Sequence, residues 1–249
     1  MRDRAAFLKP IAHRGLHDAA KGIIENTVLA FEAAMARGYG IECDVRPAAC
    51  STPMVFHDLT LERLIEAEGP IAAREAATLK RLSYRTVGGS MIDLADLLHL
   101  VNGRVPLLIE IKSEWEAPDA RYLEAIAATA AAYRGPIALM SFDPAVMTGI
   151  RALAPQIPRG IVSGLFAGDC WWRGKLGPER AYSLSHLLES GPAAPDFYAY
   201  DVAALPTPVT RFVREVLGLP LFTWTVRTQE QREVAARWAD APIFEGYEP

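Results

Sequence analysis

Short apolar runs recur along the whole chain, and each is separated from the next by a helical pattern or a loop. Several runs are continuously apolar, which is typical of strands covered on both faces. Because strand and helix alternate throughout, the pattern predicts a parallel sheet with right-handed crossovers. The runs are PIAHR, GIECDV, PMVFH, PLLIEIK, IALMSF, RGIVSG, FYAYDV, PLFTWTV and APIFEG.

These nine runs are one more than an eight-stranded barrel requires. The run PMVFH follows the second strand too closely for a helix to lie between them, so we assign it as an extension outside the barrel. The sequence therefore predicts an α/β protein with a (β/α)8 TIM barrel, in which residues 1–249 form one domain. Barrels of this kind use about 250 residues. An open doubly wound sheet is the alternative architecture.

Helix-capping residues lie between the runs. Asn26 can cap a helix over residues 27–38, whose apolar stripe would contain Leu29, Ala30, Ala33 and Ala34. His99 and His186 are expected at helical positions, away from any chemistry. Further predicted caps are Asp93, Asp143, Thr207 and Thr228.

The end of the chain departs from the barrel pattern. After the eighth strand only Gly246 to Pro249 follow, so the last outer helix is predicted to be missing. The outer face of that strand, near Pro242 and Phe244, then needs a cover. We expect the N-terminal segment, residues 1–10, to supply it; a second subunit is the alternative. The protein is accordingly predicted to be a monomer or a homodimer.

Composition narrows the function classes. The formal net charge is −4, and no basic run is long enough to follow a nucleic-acid backbone, so nucleic acid is not an expected partner. No apolar stretch approaches the roughly 18 residues of a membrane span, and the N-terminus lacks a signal-peptide core. The three cysteines contain no CxxC pair, which favours a reducing compartment. We therefore expect a cytoplasmic protein without stable membrane insertion.

Candidate chemistry gathers where the predicted strands end, which is where barrel enzymes place their active sites. Alternation along a strand puts Glu42 and Asp44 on the same face of their strand, and Glu110 and Lys112 likewise share a face of theirs. Since buried carboxylates are costly unless paired, a shared hard divalent cation is the simplest reason for them. The candidate residues at strand ends are His13, Arg14, Glu42, Asp44, His57, Glu110, Lys112 and Trp224.

This set suits attack on a phosphodiester. A metal and two cationic side chains, Arg14 and Lys112, would neutralise the phosphate oxygens. Of the two histidines, His13 and His57, one would accept the proton of the nucleophile and the other would protonate the leaving alkoxide.

The sequence resembles the glycerophosphodiester phosphodiesterase family in AHRG, ENTVLAFEAAMARG, IECDVR, VFHDLTLERL, LLIEIK, MSFDP and FTWTV, in the family's order. The resemblance implies a barrel with an insertion at about residues 53–89, and hydrolysis of glycerophosphodiesters to glycerol 3-phosphate and an alcohol. It implies an acid/base pair of His13 and His57, with Arg14 and Lys112 on the phosphate. Its implied ligands for one Mg²⁺ or Ca²⁺ are Glu42, Asp44 and Glu110.

Two local patterns depart from the family. AACSTP replaces a Thr-x-Asp-Gly turn, and Phe244-Glu245 replaces a Thr-Asp or Thr-Asn at the eighth strand. Two alternative functions stay open: phospholipase D-like action on lysophospholipids, and a catalytically silent barrel that binds an anionic partner. Two readings of Trp224 also stay open, namely core packing and a platform for a glycerol-like group. Glu25 could orient Arg14, and Trp171-Trp172 could contact the substrate or belong to a lid.

Overall fold

Eight parallel strands close into a barrel in the computed structural model, which describes residues 4–86, 89–166, 172 and 174–249. The first strand pairs with both the second and the last, which closes the barrel. The strands are β1 (Ile11–Ala12), β2 (Gly40–Pro47), β3 (Pro53–Val55), β4 (Leu107–Ile111), β5 (Ile137–Ser141), β6 (Arg159–Ser163), β7 (Phe197–Asp201), β8 (Leu221–Val226) and β9 (Ala241–Phe244). The β3 strand runs antiparallel to β2 outside the barrel, as predicted for PMVFH.

Helices lie between the strands, and the TIM-barrel prediction is confirmed, whereas the open doubly wound alternative is wrong. Within the described residues the α-helices are α1 (Arg4–Phe7), α2 (Val28–Ala36), α3 (Ala76–Leu79), α4 (Leu94–Val101), α5 (Ala120–Ala132), α6 (Pro144–Leu153), α7 (Pro178–Ser185), α8 (Pro208–Glu215) and α9 (Gln229–Trp238). Among these residues, no helix is both long and apolar enough to cross a membrane.

Side chains alternate between the barrel interior and the layer of helices. Along β4, Leu107 and Ile109 pack outward into the large cluster beneath the helices, whereas Leu108 packs inward. Cys43 of β2 also lies in the outer cluster, so its neighbours Glu42 and Asp44 point inward, as predicted. Phe197, Phe222 and other apolar side chains fill one end of the interior. The polar side chains are thereby left to the other end.

Within the described part of the N-terminal segment, residues 4–10, the large apolar side chain of Phe7 packs inside the barrel and not on the outer face of β9, contrary to expectation. Phe7 is fully buried in the inner cluster with Ile11, Leu108 and Phe222, where it closes the base of the barrel. An aromatic side chain stabilises the fold most where it is fully enclosed, because all of its apolar surface is then removed from water.

The outer face of β9 is covered by aromatic residues from elsewhere. The ring of Phe244 meets Tyr39 edge-on at 5.0 Å and Tyr247 at 5.3 Å between centroids. The guanidinium of Arg232 lies 3.5 Å from the centre of the Tyr247 ring. Residues 246–249 contain no helix, and Tyr247 in this tail provides part of the cover.

Most predicted helix starts are confirmed, but that of α2 is shifted. Thr27, not Asn26, caps α2 by accepting a hydrogen bond from the backbone N–H of Ala30. Leu29 is 51% exposed, and the buried face contains Phe31 in its place, with Ala30 and Ala34. His99 lies in α4, whereas His186 follows the last residue of α7. The predicted caps that cap helices in the structure are Asp93, Asp143, Thr207 and Thr228.

The insertion between β3 and α4 has a small core of its own. Its turns are tied together by isolated bridges such as that between Ile65 and Tyr84. This core is separate from the two clusters of the barrel. Its buried members include Met54, Phe56, Leu61, Ile65, Ile71, Leu79, Tyr84 and Met91.

Candidate active site

The turn after β1 presents His13 and Arg14 to the carboxyl end of the barrel. Arg14 adopts φ 55° and Gly15 φ 80°. A side chain at Gly15 would come within 2.8 Å of Ala30 in α2, so the turn requires glycine at this place. The His-Arg-Gly sequence is therefore a tight turn against a helix, which aims the two preceding side chains into the barrel.

Three buried carboxylates meet beside this turn. Glu42, Asp44 and Glu110 each offer an oxygen within 4.8 Å of the others, and none is more than 7% exposed. Asp44 and Glu110 are direct neighbours in the pairing of β2 with β4, and Glu42 lies two residues before Asp44 on the same face. Strand register thus brings together residues that are far apart in sequence. We call Glu42, Asp44 and Glu110 the carboxylate cluster.

Cationic and amide groups surround Asp44. The Lys112 ammonium lies 2.7 Å from Asp44 Oδ1, and the Arg14 Nε lies 3.1 Å from Asp44 Oδ2. The Asn26 side chain donates to Asp44 Oδ2 at 2.9 Å. Lys112 also contacts Glu110, and Arg14 reaches Glu25 at 2.8 Å, which confirms the expected Arg14–Glu25 contact.

The surroundings shift the pKa values of Glu42 and Asp44 in opposite directions. Burial raises the pKa of Glu42 well above its ordinary value, and the charges of Asp44 and Glu110 raise it further. Burial also acts to raise the pKa of Asp44, but Lys112 and Arg14 outweigh it and hold that pKa well below its ordinary value. The structure therefore favours a neutral Glu42 beside an ionised Asp44 while the carboxylate cluster holds no cation.

The carboxylate cluster has the chemistry of a hard-cation site. All three residues offer oxygen, which is the donor that Mg²⁺ and Ca²⁺ prefer. Glu42 Oε1 is buried and has no hydrogen-bond partner among the described residues. Because an orphaned buried oxygen costs free energy, a cation would satisfy an atom that the chain leaves unsatisfied. These residues therefore fit a divalent cation.

His57 and Glu110 line the same cavity. The Nδ1 of His57 lies 2.7 Å from Asp58 Oδ1. Arg63 holds Asp58 through its Nε and also contacts Glu25. Burial acts to raise the pKa of Asp58, yet the hydrogen bonds from His57 and Arg63 lower it overall. The result is a chain of histidine, carboxylate and arginine.

His13 has a similar arrangement, formed by residues distant in sequence. Its Nδ1 lies 2.7 Å from Glu245 Oε2, and Arg227 Nη2 lies 3.0 Å from the same oxygen. Burial lowers the pKa of His13, although the Glu245 hydrogen bond opposes this shift. Burial opposes the ionisation of Glu245, but His13 and Arg227 lower its pKa to about 2. His13 Nε2 lies 3.9 Å from Glu42, so the ring connects Glu245 to the carboxylate cluster.

A cavity of about 710 Å³ opens above these groups. Trp224 and Phe142 form an apolar wall, with ring centroids 5.2 Å apart. Trp224 is only partly buried and donates from its Nε1 to Ala199 O at 3.3 Å, so the ring both packs and faces the cavity. Of the predicted Trp171-Trp172 pair, Trp171 lies outside the described residues, and Trp172 meets Phe166 edge-on. The predicted site residues that line the cavity are His13, Arg14, His57, Glu110, Lys112 and Trp224.

Sequence reasoning missed several residues of this site. Asn26 was interpreted as a cap, although its αL backbone conformation places its amide on Asp44. The motifs indicate Glu245 only as a departure from a family pattern, and they give no sign of Asp201, which also lines the cavity. The period-2 pattern at the end of β9 does point Glu245 inward, since Ile243 is an inward residue. That signal could have identified Glu245.

The fold and the cavity together define a TIM-barrel enzyme whose ionisable groups lie at the carboxyl ends of its strands. Comparison with known proteins specifies the family. The glycerophosphoryl diester phosphodiesterase family matches residues 13–244, and the chain belongs to this family. It is thus a phosphoric diester hydrolase of the glycerophosphodiester phosphodiesterase type.

Individual relatives agree over nearly the whole chain. A probable glycerophosphodiester phosphodiesterase 1 from Mycobacterium tuberculosis is 29% identical over 92% of this chain and 86% of its own. A solved putative glycerophosphoryl diester phosphodiesterase from Silicibacter pomeroyi superposes with a TM-score of 0.74 at 25% identity, over 95% of this chain and 89% of its own. A phosphodiesterase from Oleispira antarctica, solved with the product sn-glycerol-3-phosphate, gives 0.73 at 20% identity, over 95% and 92%.

Proposed function

We propose that the protein hydrolyses glycerophosphodiesters to glycerol 3-phosphate and an alcohol, in a reaction that depends on one divalent cation, Mg²⁺ or Ca²⁺. The proposal rests on one observation above all: His13, His57 and Glu110 line a single cavity, and Glu42 and Asp44 lie buried within 4.8 Å of Glu110. The product bound to the Oleispira relative supports the substrate class. We propose further that residues 1–249 act as one barrel domain and that the substrate is a small molecule.

The carboxylate cluster would hold the cation. Glu42 brings the unsatisfied oxygen, and Asp44 and Glu110 bring the two oxygens that Lys112 otherwise contacts. When bound, a divalent cation supplies a Lewis acid that polarises a phosphoryl oxygen. Its charge would also lower the cost of an ionised Glu42 in this buried place.

His13 and His57 would act as the acid/base pair. In each ring Nδ1 is occupied by a carboxylate, so Nε2 is the nitrogen left to exchange a proton with the substrate. One Nε2 would accept the proton of the attacking oxygen, and the other would donate a proton to the leaving alkoxide. Two rings, each held by its own carboxylate, can carry out these opposite roles in one turnover.

Arg14 and Lys112 would bind the phosphate. The Lys112 ammonium has three N–H donors and contacts two carboxylates, which leaves a third donor for a phosphate oxygen. Carboxylates beside both cations keep them charged: although burial opposes it, the pKa of Lys112 and that of Arg14 are raised. Trp224 would present its exposed edge to the glycerol carbons, in keeping with its place in the cavity wall.

A substrate screen with and without metal tests this proposal. The purified protein is treated with a chelator and then assayed on a panel of glycerophosphodiesters and on a lysophospholipid, alone and with Mg²⁺, Ca²⁺ or Mn²⁺. We expect glycerol 3-phosphate only when a divalent ion is restored. Full activity in excess chelator would contradict the role of the carboxylate cluster. Turnover of the lysophospholipid alone would replace our substrate by the phospholipase D-like alternative.

A further inference from the structure

We infer that Glu245 is a positioning residue for His13: its carboxylate keeps the proton of the neutral ring on Nδ1 and thereby points Nε2 at the carboxylate cluster. The inference rests on the proposed role of His13 and adds a residue to that function.

The backbone fixes the distance between the two residues. β1 and β9 are adjacent parallel strands in which Ala12 pairs with Phe244, so the next residues, His13 and Glu245, emerge side by side. The His13 N–H also donates to Phe244 O at 2.9 Å. The 2.7 Å contact between Nδ1 and Oε2 therefore arises from strand register rather than from a mobile surface side chain.

The chemistry of the contact selects one tautomer. An ionised carboxylate only accepts hydrogen bonds, so a ring nitrogen 2.7 Å away must carry the hydrogen. Glu245 is held ionised by its neighbours, because Arg227 lies 3.0 Å from Oε2 and His17 Nε2 lies 4.0 Å from it. In the neutral ring the lone pair is then on Nε2, which lies 3.9 Å from Glu42 Oε2.

The His57 side of the cavity has the same construction. There the carboxylate is Asp58, the next residue in sequence, and Arg63 takes the place of Arg227. Both histidines thus have the order of ring Nδ1, carboxylate and arginine, although one set is local in sequence and the other joins the two ends of the chain. A purely structural salt bridge between Glu245 and Arg227 would not require this match with a second histidine.

Substitutions at Glu245 test the inference through kinetics. We expect Glu245→Ala to lower kcat about 10- to 100-fold, in line with loss of a hydrogen bond to a charged group, with KM changed less than threefold. Glu245→Asp, which keeps the charge on a shorter side chain, should recover part of the loss. Glu248→Gln is the matched control, because Glu248 lies in the same tail, pairs with Arg37 and contacts no cavity group that the structure describes.

A double-mutant cycle separates positioning from a structural role. If Glu245 acts through His13, then Glu245→Ala should have no further effect on kcat in a His13→Ala background, measured on an activated aryl phosphodiester. A structural role would instead multiply the two losses, and that result would overturn the inference. Wild-type kcat in Glu245→Ala would overturn it as well, while leaving the proposed function in place.

A spectroscopic measurement does not depend on any substrate. Long-range ¹H–¹⁵N spectra show which ring nitrogen of a histidine carries the hydrogen. We expect His13 in the wild-type protein to carry it on Nδ1, and we expect Glu245→Gln to lose or mix this tautomer while Glu248→Gln keeps it. An Nε2–H tautomer of His13 in the wild-type protein would refute the inference, even if no substrate in the screen were hydrolysed.

Discussion

Neutralising Asp44 should destabilise the protein much more than neutralising Glu42. Without a cation, burial and the neighbouring charges favour the protonated form of Glu42. Glu42→Gln therefore replaces one neutral side chain by another of similar shape. Asp44 is ionised and fully buried between Lys112 and Arg14, so Asp44→Asn leaves two buried cations short of a partner.

The size of the difference follows from the cost of an uncompensated buried charge. Removing one partner of a buried ion pair costs about 3–5 kcal/mol. For a chain of this length each kcal/mol shifts Tm by about 2–4 °C. In chelator we therefore expect Asp44→Asn to lower Tm by about 6–20 °C, and Glu42→Gln to change it by less than about 3 °C.

Thermal unfolding followed by circular dichroism at pH 7 is the assay, in chelator and in excess divalent ion. The ion should stabilise the wild-type protein by about 2.7 kcal/mol at a hundredfold excess over Kd, and both variants by less. Glu248→Gln serves as the control for loss of a charge elsewhere. Equal loss of stability in the two cluster variants in chelator would show that Glu42 is ionised there, and our account of the carboxylate cluster would be wrong.

Three further outcomes follow from the structure. His57→Ala should lower kcat about 10²- to 10⁴-fold for alkyl leaving groups and much less for activated aryl ones, as comparison of the two substrate types would show. Phe7→Ala should cost about 3–5 kcal/mol by opening a cavity at the barrel base, and calorimetry would measure it. Because the pKa of Glu245 is lowered to about 2, its contribution to stability is present above pH 4.5 and is lost as the pH falls towards 2. The loss of Tm in Glu245→Gln relative to wild type should therefore be largest near pH 7 and should shrink below pH 4.5.

Much of the barrel could be predicted from the sequence because its rules are local. Continuous apolar runs identify the strands, and side-chain alternation shows that Glu42 and Asp44 share the inner face with Glu110 and Lys112. Capping residues such as Thr207 and Thr228 also act on the next turn of their own helices. For these features, short stretches of sequence contain the information that determines the structure.

The features that the sequence did not predict, the roles of Asn26 and Phe7 among them, depend on contacts between distant segments of the chain. Asn26 and Thr27 are both good caps, and nothing local shows that the Asn26 amide is needed by Asp44. The N-terminal segment, which contains Phe7, was expected on the outside of the barrel because an apolar residue near the N-terminus fits any apolar groove. Only the closed barrel, with its unfilled base, shows which cavity it occupies.

The pairing of β1 with β9 joins the start of the chain to its end within the candidate active site. His13 comes from the start of the chain, whereas its carboxylate comes from the end, and the two meet only when the last strand docks beside the first. A chain that lacks β9 and the residues after it still contains every residue of the carboxylate cluster and of the His57–Asp58 pair. It cannot bring Glu245 to His13. If Glu245 positions His13, full activity therefore requires that β9 is paired with β1.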